Sequence, residues 1–317
     1  MKIFSKTLKI ILTTVLLLVT AIVLLFGHKD IPLNELITPY TNEASSFMEI
    51  DGVSVHYRDE GLKTEQIPIV LIHGTASSLH TFEGWVSGLK SEYRVISLDL
   101  PGYGLTGPFA SGDYSIENYV NFMQNFLSSL NVERCILVGN SLGGRIAWNY
   151  TLENASEVDK LILIDASGYP IKSKSIPLAF KLAKIPVINK MLTFITPRFI
   201  VQKSVENVYA DKLKVTDKLV DRYYDLTLRA GNRKAFIDRS AVAYESVSYQ
   251  KIPDIKQSTL VLWGEMDEFI PVEMAYSFHR DLANDTLIVL KDLGHVPMEE
   301  NWRKSLQPVL DFLEWSN

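Results

Sequence analysis

The stretch from Cys135 to Leu152 constrains this chain more than any other. An apolar run, Ile136-Leu137-Val138, passes directly into Gly139-Asn140-Ser141-Leu142-Gly143-Gly144, and a helix-compatible segment, Arg145 to Leu152, follows. A serine with a glycine two positions away on each side, at a strand-to-helix junction, fits a turn too tight for flanking side chains. Such a turn leaves the serine hydroxyl exposed at the C-terminal edge of a sheet. The rest of the chain must therefore supply a sheet of the kind that can hold this turn.

It does. Ile69–Ile72, Val95–Leu98, Ile136–Val138, Leu161–Ile164, Leu260–Leu262 and Leu287–Leu290 are apolar at every or nearly every position. Such runs suit strands covered by helices on both faces. Met48-Glu49-Ile50 and Val53-Ser54-Val55 flank Asp51-Gly52, a tight-turn pair, and predict a hairpin. Ser115 to Leu130 places Ile116, Tyr119, Val120, Met123, Phe126, Leu127 and Leu130 on one helical face, and Trp302 to Leu313 repeats the pattern. Alternating β and α segments predict an α/β fold with an open sheet. With 317 residues, 47% of them hydrophobic, the chain can bury one large core and an inserted subdomain.

The alternation breaks between about Pro170 and Lys251, where only helical patterns occur, interrupted by Pro177, Pro186 and Pro197. The expected organisation is a core of residues 46–169 and 252–317, with 170–251 as a helical insertion over the strand ends. Leu178 to Ile195 is apolar around its circumference. It would line an acyl pocket, rest on a membrane, or simply pack as a helical subdomain.

A serine needs a base to become a nucleophile. Of the six histidines, His28 flanks the apolar N-terminus, His56 lies in the hairpin, His80 precedes a helix and His279 lies on one. His295 stands in a loop after the last strand, where it would reach the sheet edge beside Ser141. The base needs a carboxylate to fix its tautomer. Asp267 follows the strand ending at Trp263, and loops after strand C-termini are where α/β sheets place their sites. Asp165, after an earlier strand, is the rival acid, and Glu265 and Glu268 are weaker ones. Backbone N–H groups must also hold the developing oxyanion. Leu142 would supply one, and Thr75, with Ala76 as the alternative, the other. His73 is expected to brace that loop.

The N-terminus carries no charge from Ile10 to Phe26, and Lys2, Lys6 and Lys9 precede it. With its flanks this stretch approaches the about 20 residues of a transmembrane helix. Residues 1–29 are thus expected to anchor the chain in a membrane with a cytoplasmic N-terminus and an extracytoplasmic catalytic domain. Cleavage as a signal peptide is the alternative, although Leu24-Leu25-Phe26-Gly27-His28 offers no small-x-small site. Residues 30–45, with Pro32 and Pro39, are expected to be a tether. The net charge is −5 and the cations are scattered, which excludes a nucleic-acid binder. Cys135, the single cysteine, is expected to be a small buried hydrophobe. No metal-ligand spacing or phosphate-cradling loop implies a cofactor; the Gly102, Gly104 pair alone is too weak a signal.

Taken together, His73-Gly74-Thr75, Asp99-Leu100-Pro101-Gly102-Tyr103-Gly104, Gly139 to Gly144, the Gly264–Pro271 loop with Asp267, and Gly294-His295 resemble the α/β-hydrolase superfamily in order and spacing. The resemblance implies an eight-stranded sheet, a cap domain formed by the insertion, and a structural role for Asp99. Epoxide hydrolases and haloalkane dehalogenases of this superfamily carry Asp at the elbow, so Ser141 argues against both. Gly-Asn-Ser is similar to carbon–carbon hydrolases of meta-cleavage products. Those commonly have Trp after the histidine, where Val296 and Pro297 stand here. The expected activity is therefore serine esterase or lipase-like cleavage of a small, apolar ester. Carbon–carbon hydrolysis is the alternative, and thioester or lactone cleavage would use the same machinery. A non-catalytic binding protein is the reading from another class.

Overall fold

Eight strands make one sheet: β1 (Ser45–Ile50), β2 (Val53–Gly61), β3 (Ile69–Ile72), β4 (Arg94–Leu98), β5 (Cys135–Asn140), β6 (Val158–Ile164), β7 (Ser258–Gly264) and β8 (Asp285–Leu290). Their order is β1-β2-β4-β3-β5-β6-β7-β8. β2 runs antiparallel to both neighbours, and β3 to β8 are mutually parallel. The computed structural model describes residues 2–63, 67–170, 172–242 and 248–314. Residues 1, 64–66, 171, 243–247 and 315–317, which the expected anchor, cap and core include, lie outside them.

Each of the six apolar runs forms a strand, and the packing explains their composition. Val70 and Ile72 join one hydrophobic cluster, whereas Ile69 and Leu71 join another on the opposite face. A strand buried on both sides has no place for polar alternation. The Asp51-Gly52 turn sets Ile50 opposite Val53, as expected for a two-residue hairpin. Ser115 caps the helix Ile116–Ser129 by accepting from the Asn118 N–H. The helix Trp302–Glu314 packs on the second cluster through Leu306, Val309 and Phe312. Trp85 is fully buried there and donates to Ser305 Oγ at 2.9 Å. Burying a side chain of that size contributes roughly 2–3 kcal/mol.

Between β6 and β7 the described residues contain helices Leu178–Ala183, Ile188–Met191, Arg198–Val208, Asp217–Leu228 and Asn232–Ala241, and no strand of the sheet. They cover the C-terminal edge of the strands.

Two N-terminal expectations change. A helix forms over Lys2–Phe26, but no helix among the described residues is long and apolar enough to cross a membrane. Within this helix the uncharged part is Ile10 to Phe26, at the lower end of the roughly 17–25 residues that span a bilayer core, and Lys6 and Lys9 share the helix. The expected transmembrane anchor and membrane partner therefore have no support in the fold. The stretch read as a tether is also ordered. Ile31 N–H donates to Leu228 O at 2.8 Å, and Ala230 N–H donates back to Ile31 O at 2.9 Å. Asp30 pairs with Arg233 at 2.6 Å. The helix Leu33–Tyr40 inserts Leu36 between Leu105 of the core and Leu226 of the cap. Apolar residues at 31, 33 and 36, amid polar neighbours, are the pattern that marks this amphipathic strap.

Candidate active site

Local sterics place Ser141 first. It takes φ 55°, ψ −112°, a conformation that L residues rarely adopt and that costs on the order of 1–3 kcal/mol. A Cβ on Gly139 would lie 2.2 Å from Gly143 O, and one on Gly143 would lie 2.2 Å from Ile72 O. Backbone atoms cannot yield there, so both positions require glycine. Leu142 opens the helix Leu142–Glu153, and first-turn amides have no acceptor within their own helix. The loop after β3 passes directly above, with the ideal Cβ position of Gly74 3.0 Å from Ser141 Cβ. Thr75 and Ala76, the two candidates for a second oxyanion donor, both line the same cavity as Ser141.

His295 and Asp267 meet as the sequence anticipated. His295 Nδ1 lies 2.6 Å from Asp267 Oδ2, and both side chains are buried. Asp267 Oδ1 accepts from the N–H groups of Phe269 and Ile270 at 2.8 and 2.9 Å, which fixes the carboxylate. The Phe269 ring meets the His295 imidazole edge to face at 5.2 Å. Of the rival acids, Glu265 and Glu268 are exposed. Asp165 is fully buried and stays close: its carboxyl, that of Asp267 and a His295 nitrogen lie within 4.8 Å of one another. Adjacent parallel strands explain this, since Ile164 pairs with Leu262 and the two chains leave the sheet side by side.

This trio is the metal-capable grouping among the described residues. Its donor atoms are largely engaged: His295 with Asp267, Asp267 with two amides, and Asp165 Oδ1 with the Gly264 N–H at 3.0 Å. Those bonds orient a histidine for proton transfer and do not describe a ligand shell.

The other motif residues are framework. His73 Nδ1 lies 2.7 Å from Gly74 O, and Nε2 accepts from Leu100 N–H at 3.0 Å. Both ring nitrogens are spent on holding the loop, and burial, against the pull of the Asp99 charge, lowers its pKa. Asp99 accepts from the Leu79 and Leu105 N–H groups and pairs with His56 at 2.8 Å. A Cβ on Gly104 would fall 2.1 Å from the Asp99 carboxyl carbon, and one on Gly102, at φ 87°, would fall 2.7 Å from Ala235 Cβ, which accounts for the glycine pair. Burial pushes the Cys135 thiol up to about 12, as suits an inert, buried cysteine.

Two supporting residues escaped the sequence reading. Asn140 donates through Nδ2 to Ile164 O at 3.2 Å and His295 O at 3.0 Å, stitching the elbow to two neighbouring loops. Its place beside Ser141 was its only sequence signal. Glu300 accepts from Gly294, Ala210 and Asp211 N–H groups, tying the His295 loop to the insertion. Nothing in its local sequence announces that.

Above these groups lies about 1150 Å³ of empty space, partly open to solvent. Its floor includes Thr75, Ser141 and His295, and its walls include Phe180, Ile200, Val201 and Phe236 from the insertion. Phe180 bridges Phe236 and Phe269 through ring contacts of 5.1 and 5.2 Å. The model of the family described as the alpha/beta hydrolase fold matches residues 67–301. The chain belongs to this family. It is 27% identical over 268 residues to the uncharacterized hydrolase YugF of Bacillus subtilis, covering 84% of this chain and 96% of YugF. It is also 27% identical over 288 residues to the 2-hydroxy-6-oxononadienedioate/2-hydroxy-6-oxononatrienedioate hydrolase of Paraburkholderia xenovorans, covering 86% of this chain and 95% of that protein. Among solved structures, a bacterial membrane phospholipase A superposes with a TM-score of 0.70 at 24% identity, over 99% of this chain and 98% of its own. At that identity the last likeness speaks to fold alone. The α/β-hydrolase family, its eight-stranded sheet and hydrolytic activity of this kind are thus established for the chain.

Proposed function

We propose that this hydrolase cleaves carboxylic esters with apolar acyl groups, using Ser141 as nucleophile, His295 as base and Asp267 as the acid that orients it. The observation that carries this is the short His295–Asp267 contact at the floor of a largely apolar cavity that Ser141 also lines. In the proposed cycle His295 takes the Ser141 proton as Oγ attacks the ester carbonyl. The Leu142 and Thr75 amides hold the oxyanion, and His295 returns the proton to the departing alcohol. Water then attacks the acyl-enzyme by the same route and releases the acid. No step calls for a cofactor.

A second reading, carbon–carbon hydrolysis, is favoured by the identity with the Paraburkholderia enzyme, whose substrates by name are dicarboxylates. Against it, Arg233 is the one permanent cation among the described residues lining the cavity, and Asp30 already engages it through Nε and Nη2. An anionic substrate would enter a largely apolar chamber whose one lining cation is already ion-paired, with only Arg233 Nη1 left without a partner among the described residues. Val296 and Pro297 after His295 point the same way.

The test is to treat the full chain with a fluorophosphonate and then with p-nitrophenyl esters of graded chain length. Labelling at Ser141 with turnover that rises with acyl length is the expected outcome. Labelling without turnover of any ester would transfer the assignment to carbon–carbon or other specialised chemistry. A folded protein that resists labelling would point to a binding role instead.

A further inference from the structure

The proposed mechanism leaves one buried carboxyl unused. Asp165 leaves β6 with φ 44° and is fully buried. Its Oδ1 accepts from Gly264 N–H at 3.0 Å, while Oδ2 has no donor among the described residues. On Asp267, Oδ1 takes two amide hydrogens and Oδ2 takes His295. The two carboxyls nevertheless lie side by side in the interior, with oxygens within 4.8 Å of each other. Two carboxylates are both acceptors and cannot bond to each other; a proton on one of them turns the contact into a hydrogen bond.

We infer that Asp165 is held protonated and donates that proton to the Asp267 carboxylate, acting as a positioning residue that fixes Asp267 beneath His295. This rests on, and deepens, the assignment of Ser141, Asp267 and His295 above. The proton belongs on Asp165 and not on Asp267, because Asp267 already faces three donors that stabilise its charge, whereas Asp165 faces one. Burial, then the Asp267 charge, raise Asp165 well above the usual carboxylate range. The other ionisable groups facing it are His295 from the loop after β8 and Glu300 from the helix Pro297–Glu300. Glu300 adds to the negative surroundings while its own oxygens are bonded to three amides. A neutral donor at this point lets Asp267 keep the single charge that orients His295, without a second negative charge beside it.

The fluorophosphonate labelling rate of the full chain, followed against pH, separates the cases. In Asp165→Asn the amide nitrogen donates to Asp267 while the carbonyl oxygen accepts from Gly264. The acid limb should stay in place and the rate within about threefold of wild type, the span of a typical exchange of one hydrogen bond for another. Asp165→Ala removes the donor, so labelling should fall by about tenfold or more and the acid limb should move to higher pH. The infrared C=O stretch of a protonated carboxyl should appear in the wild-type-minus-Asn difference spectrum. An Asn variant whose acid limb drops by more than about one pH unit would mean that a negative charge had been removed, and would overturn the proposal. So would a missing infrared band, or an Ala variant indistinguishable from wild type. If Asp165→Ala does not fold, the Asn profile and the infrared band decide. Wild type that resists labelling would sink the serine mechanism instead, and the infrared band would still test the proton.

Discussion

Two histidine–aspartate pairs lie in this protein, built from the same groups at nearly the same distance. His56 and Asp99 meet at 2.8 Å, His295 and Asp267 at 2.6 Å, and all four side chains are buried. They differ in what the second ring nitrogen meets. His56 Nε2 is taken by Ser45 Oγ at 3.0 Å, so one nitrogen holds the hairpin to the core and the other ties its two strands together. His295 is bound at Nδ1 and borders the cavity that Ser141 lines. A histidine bonded at both nitrogens is a strut; one bonded at a single nitrogen beside a cavity is equipped to move a proton. The carboxylates share one trait, since each is also fixed by two backbone amides.

Four changes would break or sharpen the contrast. Ser141→Ala should abolish labelling and lower ester turnover by up to about 10⁶-fold, with a thermal unfolding midpoint at or above wild type. Asp267→Asn should lower kcat by roughly 10⁴-fold by disturbing the tautomer, while the fold survives calorimetry. Asp99→Ala should do the reverse. It strands His56 and two amides in the interior and should cost about 3–5 kcal/mol in chemical denaturation, with turnover per folded molecule kept. Loss of activity without loss of stability in that variant would erase the distinction. The smallest effect concerns pH. Burial, opposed by Asp99 and assisted by Arg222 and Arg58, lowers His80 from 6.5 to about 4. Between those values the unfolded chain binds a proton that the folded chain refuses. Stability from this group is therefore complete above pH 6.5 and is lost as pH falls toward 4. The unfolding midpoint should decline across that window, and His80→Gln should flatten the decline.

The sheet was readable because its strands are buried on both faces and carry little besides aliphatic residues. The elbow was readable because its glycines answer to backbone collisions that permit nothing larger. Asp165 is the instructive case. Sequence offered it as a competitor of Asp267, when strand adjacency makes the two carboxyls neighbours. Chain order gives no hint that residues 102 positions apart lie within 4.8 Å of each other. Asn140 and Glu300 were missed for a related reason, since their partners are backbone groups of distant loops. At the N-terminus, hydropathy read over Ile10–Phe26 suggested a span, whereas the short apolar spacing of the following segment, which sets its docking, is easily lost among polar neighbours.

That docked segment changes what counts as the smallest working unit. Tyr40 Oη donates to Asp225 at 2.7 Å, and Tyr40 O accepts from Arg58 and faces His80, so one residue joins cap and core. Together with Leu36 it closes a seam that the cap's two covalent connections leave unsealed. A chain shortened to begin near Asn42 would keep every candidate catalytic group. It would also uncover Leu105 and Leu226 and remove the Tyr40–Asp225 tie, leaving the cap joined to the core by contacts such as those of Glu300 with the Ala210 and Asp211 amides. The catalytic module of this hydrolase therefore starts before its first strand.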